Sequence, residues 1–115
     1  DLTRSINQDD PEKWRKFIQD YSKMAKQDIE KFSLHFMLLK IWYQSANRFQ
    51  KNIDDSLHNT ALKKGIERCV RTYGTADFPA IVFELEEVVS AISKNLYMPL
   101  VLVNLLLHIQ KHLRS

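Results

Sequence analysis

Residues 95–113 read NLYMPLVLVNLLLHIQKHL, and the fold follows from how that run can be buried. From Leu100 to Leu107 every residue but Asn104 is apolar. Met98, Leu102, Leu105, Leu106, Ile109 and Leu113 recur at helical spacing and form one core-facing stripe. Leu100, Val103 and Leu107 form a second stripe on another side of the same helix. A surface helix needs one apolar face, so a helix apolar over most of its circumference calls for cover on several sides. Pro99 suits the first turn, where its missing N–H removes no helical bond. A membrane span needs about 20 apolar residues. This run is shorter and leads into His108, Lys111, His112 and Arg114. The segment reads as a buried helix, and the question becomes what covers its second side.

The rest of the composition supports a helical domain. At 115 residues the chain is long enough for one proper core. Two glycines and three prolines leave little material for all-β turns or for a Gly-rich phosphate loop. A net charge of +3 permits an acidic partner or nucleic acid without arguing for either. Cys69 is the single cysteine, which rules out an internal disulfide and suits a reducing cytoplasm. No signal or transit pattern opens the chain. The first residue is Asp rather than Met, so a domain cut from a longer protein is expected.

In chain order, residues 1–9 are polar, with only Leu2 and Ile6 apolar, and read as a linker from a preceding domain. A first helix starts at Asp10-Pro11-Glu12 and turns Trp14, Phe17, Ile18, Tyr21, Met24 and Ala25 to one side. Asp28 restarts or bends it. A long helix from about Ile29 to Gln50 then carries two apolar faces. One holds Ile29, Phe32, Phe36, Leu39 and Tyr43, the other Leu34, Leu38, Ile41 and Trp42. Its doubled pattern makes it the expected packing partner of the last helix. Residues 51–60 are a polar connection. A third helix, about Thr60–Tyr73, is capped by Asn59 or Thr60, buries Leu62, Ile66, Cys69, Val70 and Tyr73, and ends at a left-handed Gly74. A fourth, capped by Asp77, buries Phe78, Ile81, Val82, Leu85, Val88, Val89 and Ile92, leaves Phe83 opposite, and stops near Asn95. The expected architecture is all-α, a single bundle of about five helices over residues 10–115.

Reactive constellations are scarce. His108 and His112 are four apart, yet two ligands fall short of a zinc set and suit a helix C-terminus. Glu84, Glu86 and Glu87 read as dipole-stabilising acids at a helix start. Cys69 lies on an apolar stripe as a core thiol. No phosphate loop or nucleophile elbow occurs, so neither catalysis, a cofactor nor a small-molecule substrate is expected. Lys64, Arg68 and Arg71 align on the outer face of the third helix, flanked by Lys63 and interrupted by Glu67. That stripe offers contact with phosphates or with an acidic protein. Apolar excess is the stronger signal. Phe83, Leu100, Val103 and Leu107, with Asn104 as a polar register mark, form the expected subunit interface.

These residues also carry a family resemblance. The closing pattern is Ile92-x-x-Asn95, then Leu100-x-Leu102-x-x-Leu105-Leu106-Leu107-x-Ile109. It resembles the end of the C-terminal collar domain of bacterial DNA polymerase III clamp-loader subunits, most of all delta-prime. The order of one helix, a long aromatic-rich helix, a polar loop and two further helices is also similar, over roughly residues 11–114. Where many members carry an Arg-Asp pair late in the long helix, this chain has Trp42-Tyr43-Gln44. The resemblance implies a preceding AAA+ module and a place in a five-membered collar of sister subunits. It implies a parent machine that loads a sliding clamp on primed DNA during replication in a bacterial cytoplasm. DNA would be met indirectly and a membrane not at all. Two other readings stand beside it: a small helical nucleic-acid-binding domain using Lys64, Arg68 and Arg71, and an adaptor holding a partner helix between the long helix and the last one.

Overall fold

The computed structural model describes residues 2–8, 10–51 and 60–114, with side chains from 63 onward in the last of these. Six helices form: α1 (Leu2–Asn7), α2 (Pro11–Gln27), α3 (Ile29–Gln50), α4 (Thr60–Thr72), α5 (Phe78–Ser93) and α6 (Met98–Leu113). There is no strand among the described residues. No helix there is long and apolar enough to cross a membrane.

Short polar side chains set the helix boundaries. The Asp10 carboxylate accepts from the backbone N–H of Glu12 at 3.0 Å, with Pro11 in the first turn of α2. Asp28 serves two helices at once. Its backbone N–H donates to the Met24 carbonyl at 2.8 Å and closes α2, while its carboxylate accepts from the Lys31 N–H at 3.1 Å and opens α3. Asp77 caps α5 by accepting from the Ala80 N–H at 3.2 Å. Asn95 follows α5 with φ 55°, the left-handed conformation that asparagine tolerates after a helix. Gly74 was the expected left-handed stop, but neither glycine has positive φ. The turn after α4 is instead pinned from α3, where the Gln50 amide donates to the carbonyls of Gly74 at 3.1 Å and Ala76 at 3.0 Å. The expected caps and turn within residues 52–59 lie outside the described residues.

Four helices close into a ring: α2 packs on α3, α3 on α5, α5 on α6, and α6 back on α2. The expected side-by-side pairing of α3 with α6 is therefore corrected. They occupy diagonal corners and meet only through the core, so the groove for a partner helix between them is not formed. Hydropathy periodicity gives the faces of a helix but not its neighbours, and two-sided helices can satisfy either arrangement.

The core stripe of α6 is buried throughout, with Leu102, Leu106 and Ile109 fully enclosed. Phe32 and Phe36 stack at a centroid distance of 4.4 Å, and Tyr21 meets both edge-on. Glu84 joins α5 to α6, its two oxygens 3.0 Å from His108 Nδ1 and 3.5 Å from His112 Nε2. Glu86 lies 3.9 Å from Lys40 of α3. These carboxylates stand in the second and third turns of α5, beyond the first turn where the expected dipole stabilisation acts, and pair instead with neighbouring helices.

Residues 2–7, expected as part of a linker, form α1 and belong to the bundle. Ile6 is fully buried, and α1 packs on α2 and α6. Two apolar residues in nine give no periodicity to read. What fixes α1 is a polar junction. Asn7 Oδ1 accepts from Tyr43 Oη at 2.6 Å, and its Nδ2 reaches Cys69 Sγ at 3.6 Å. The Asn7 carbonyl accepts from Gln110 Nε2 at 2.6 Å and from Tyr73 Oη at 3.2 Å. Asn7 and Gln110 are both buried, and the junction ties α1 to α3, α4 and α6.

Candidate functional site

The outer surfaces of the ring helices differ in kind. That of α2 is charged, with Lys16, Asp20 and Lys23 exposed, as expected of a helix facing water. On α6 the exposed side is apolar: Leu100 is 58% exposed and Leu107 52%, with Val103 and Asn104 between them. The spacing 100, 103, 104, 107 makes one continuous stripe, and Leu96 and Tyr97, in the turn before α6, are exposed as well. Phe83 is 58% exposed on α5, on the outward side between the edge that meets α3 through Glu86 and the edge that meets α6 through Glu84.

At the opposite corner, Leu34, Met37, Leu38 and Ile41 form an equally apolar exposed stripe on the N-terminal half of α3. Trp42, expected on that same face, is instead buried, because α4 packs on α3 and Trp42 faces it across a shared cavity. Ile29 departs in the other direction: assigned to the core face, it is half exposed at the first turn of α3. Full burial of a large aliphatic side chain is worth about 1.5–3 kcal/mol, so each half-exposed leucine retains roughly 1 kcal/mol that a covering surface could recover. Sequence reasoning missed Met37, Leu96 and Tyr97. Met37 completes the i, i+3, i+4, i+7 stripe and was legible. Leu96 and Tyr97 lie in a turn, where no periodicity applies.

Lys64, Arg68 and Arg71 lie together on α4, lining a shallow depression with Glu67 and Thr72. The Arg71 guanidinium is 4.0 Å from the Glu67 carboxylate and largely exposed, which makes this a weak surface pair. The carboxylate in the middle of the stripe lowers its attraction for phosphate.

A second cavity, of about 160 Å³, opens between α1, α3 and α4. Thr3, Arg4 and Asn7 line it from α1 and Gln8 from just beyond it, Trp42 from α3, and Gly65, Arg68, Cys69 and Thr72 from α4. Burial pushes the Cys69 thiol up to about 11, against a smaller opposing effect of the Asn7 hydrogen bond. Burial likewise raises Tyr73, which also lines the cavity, and raises Tyr43 well above the usual phenol range. At neutral pH these groups are uncharged, and Cys69 is a poor nucleophile. Among the described residues no group of three His, Cys, Asp or Glu side chains is disposed to hold a metal ion.

Comparison of the chain with protein-family models, with curated proteins and with solved structures returns no match.

Proposed function

We propose that this chain is a non-catalytic assembly module, the collar domain of a clamp-loader subunit, gripping sister subunits through its apolar outer faces. The observation that supports this reading is the pair of exposed apolar stripes on diagonally opposed helices, Leu100–Val103–Leu107 on α6 and Leu34–Leu38–Ile41 on α3. A single flat partner covers one corner of a four-helix ring and leaves the other exposed. Two different faces, each meeting a different neighbour, are what a member of a closed ring requires. Phe83 and Asn104 then act as an anchor and a register mark, and the ATPase chemistry belongs to other parts of the machine.

The test is association of the 115-residue chain with clamp-loader subunits from the same organism, measured by sedimentation velocity. Leu100→Asp and Leu38→Asp should each weaken association while leaving the helical circular dichroism and thermal midpoint unchanged. Charge reversal at Arg68 and Arg71 should matter little. Undiminished assembly by both Asp variants would refute the reading. Salt-sensitive DNA affinity that vanishes with the arginine reversals would favour a nucleic-acid-binding domain instead.

A further inference from the structure

Gly65 is hard to explain as a structural residue. Glycine within a helix destabilises it relative to alanine. Here its φ is not positive, and a Cβ at this position would meet no atom within 4 Å. Neither backbone conformation nor close packing demands glycine. What its missing side chain leaves open is the cavity between α1, α3 and α4.

That cavity has a consistent chemistry. Among the described residues the only charged side chains lining it are Arg4 and Arg68, on different helices, and no carboxylate does. Neither guanidinium has an ion-pair partner among the described residues. Thr3, Gln8 and Thr72 add hydrogen-bonding groups, and Trp42 supplies an aromatic wall. An apolar cavity of roughly 150 Å³ admits benzene. A space of about 160 Å³ is therefore sized for one small ring or short chain with a charged head at the mouth. Two guanidinium forks suit a planar or tetrahedral oxyanion.

We infer that the cavity between α1, α3 and α4 is a binding site for a small organic anion, a carboxylate or phosphate held by Arg4 and Arg68 with its apolar body over Gly65 against Trp42. The site is independent of the assembly faces, because its lining shares no residue with them. It holds its ligand without covalent bonding, and it couples ligand to fold, since Asn7 of the buried junction forms part of its lining.

The test is titration of the 115-residue chain with benzoate, phenyl phosphate, inorganic phosphate and the neutral benzyl alcohol, followed by amide ¹H–¹⁵N shifts. Saturable shifts at Gly65, Cys69 and Asn7 with benzoate or phenyl phosphate, and none with benzyl alcohol, are expected. The tighter of the two anions names the head group. Arg68→Gln should weaken binding at least tenfold. Gly65→Leu, which fills the space, should abolish it without lowering the thermal midpoint. Absence of saturable shifts with either aryl anion, an equal response to benzyl alcohol, or undiminished binding by Gly65→Leu would overturn the site. Inorganic phosphate binding as tightly as phenyl phosphate, or shifts confined to Lys64 and Arg71, would overturn it as well.

Discussion

Replacing Tyr43 by phenylalanine removes one oxygen atom from the centre of the molecule and tests the junction on which α1 depends. Tyr43 is fully buried, and its hydroxyl donates to Asn7 Oδ1 at 2.6 Å. The phenylalanine ring keeps the packing against Trp42 and Phe78, so the change is confined to the hydrogen bond. Asn7 Oδ1 is then left without its donor in a site that is 7% exposed. Stranding a buried acceptor costs about 1–3 kcal/mol, more than the net value of the bond itself. A loss of about 2 kcal/mol is expected in urea titration, with a fall in the thermal midpoint of about 8 °C. The double variant Tyr43→Phe with Asn7→Ala should cost clearly less than the sum of the two single changes, because the second removes the stranded acceptor. Tyr97→Phe is the control: with that residue 70% exposed, the change should fall within about 0.5 kcal/mol of zero. A Tyr43→Phe effect as small as the control's, or strict additivity in the cycle, would refute the view that a buried polar junction holds α1 in place.

The two stripes of α6 should separate cleanly in stability: Leu102→Ala, from full burial, should cost about 2–5 kcal/mol in a urea midpoint assay. Leu107→Ala, from the exposed stripe, should cost less than about 1 kcal/mol in the same assay. Gly65→Ala should stabilise the chain by about 0.5–1 kcal/mol, since its Cβ enters open space inside a helix. Stability should fall between pH 9 and 11, because the Cys69 thiol, at about 11 when folded against 9.0 in its ordinary state, must lose in folding whatever the unfolded chain gains by ionising. That contribution is intact below pH 9, and Cys69→Ala should flatten the decline in pH-dependent urea titrations.

Much of the bundle could be read from residue patterns. Asp10, Asp28 and Asp77 cap because a short carboxylate reaches the free N–H groups of a helix start, a local event. The α6 stripe from Met98 to Leu113 is buried as its spacing requires, and the second stripe is exposed. The failures were of another kind. α1 is held by Asn7, Tyr43 and Gln110, three polar residues spread across the chain, and no window of sequence displays their meeting. The diagonal placement of α3 and α6 depends on how all four ring helices pack together, which the pattern of no single helix displays. The cavity was invisible for the same reason: Arg4, Trp42 and Gly65 mean nothing together until three helices converge.

The hydrogen bond from Gln110 to the backbone of Asn7 spans 103 positions and has a temporal consequence. A ribosome delivers Asn7 long before Gln110, so until α6 is made α1 has only α2, α3 and α4 to hold it. Its seat is complete only once α6 has cleared the exit tunnel. Until then the cover over Ile6 is incomplete, and the making of α6 decides whether α1 finds its place.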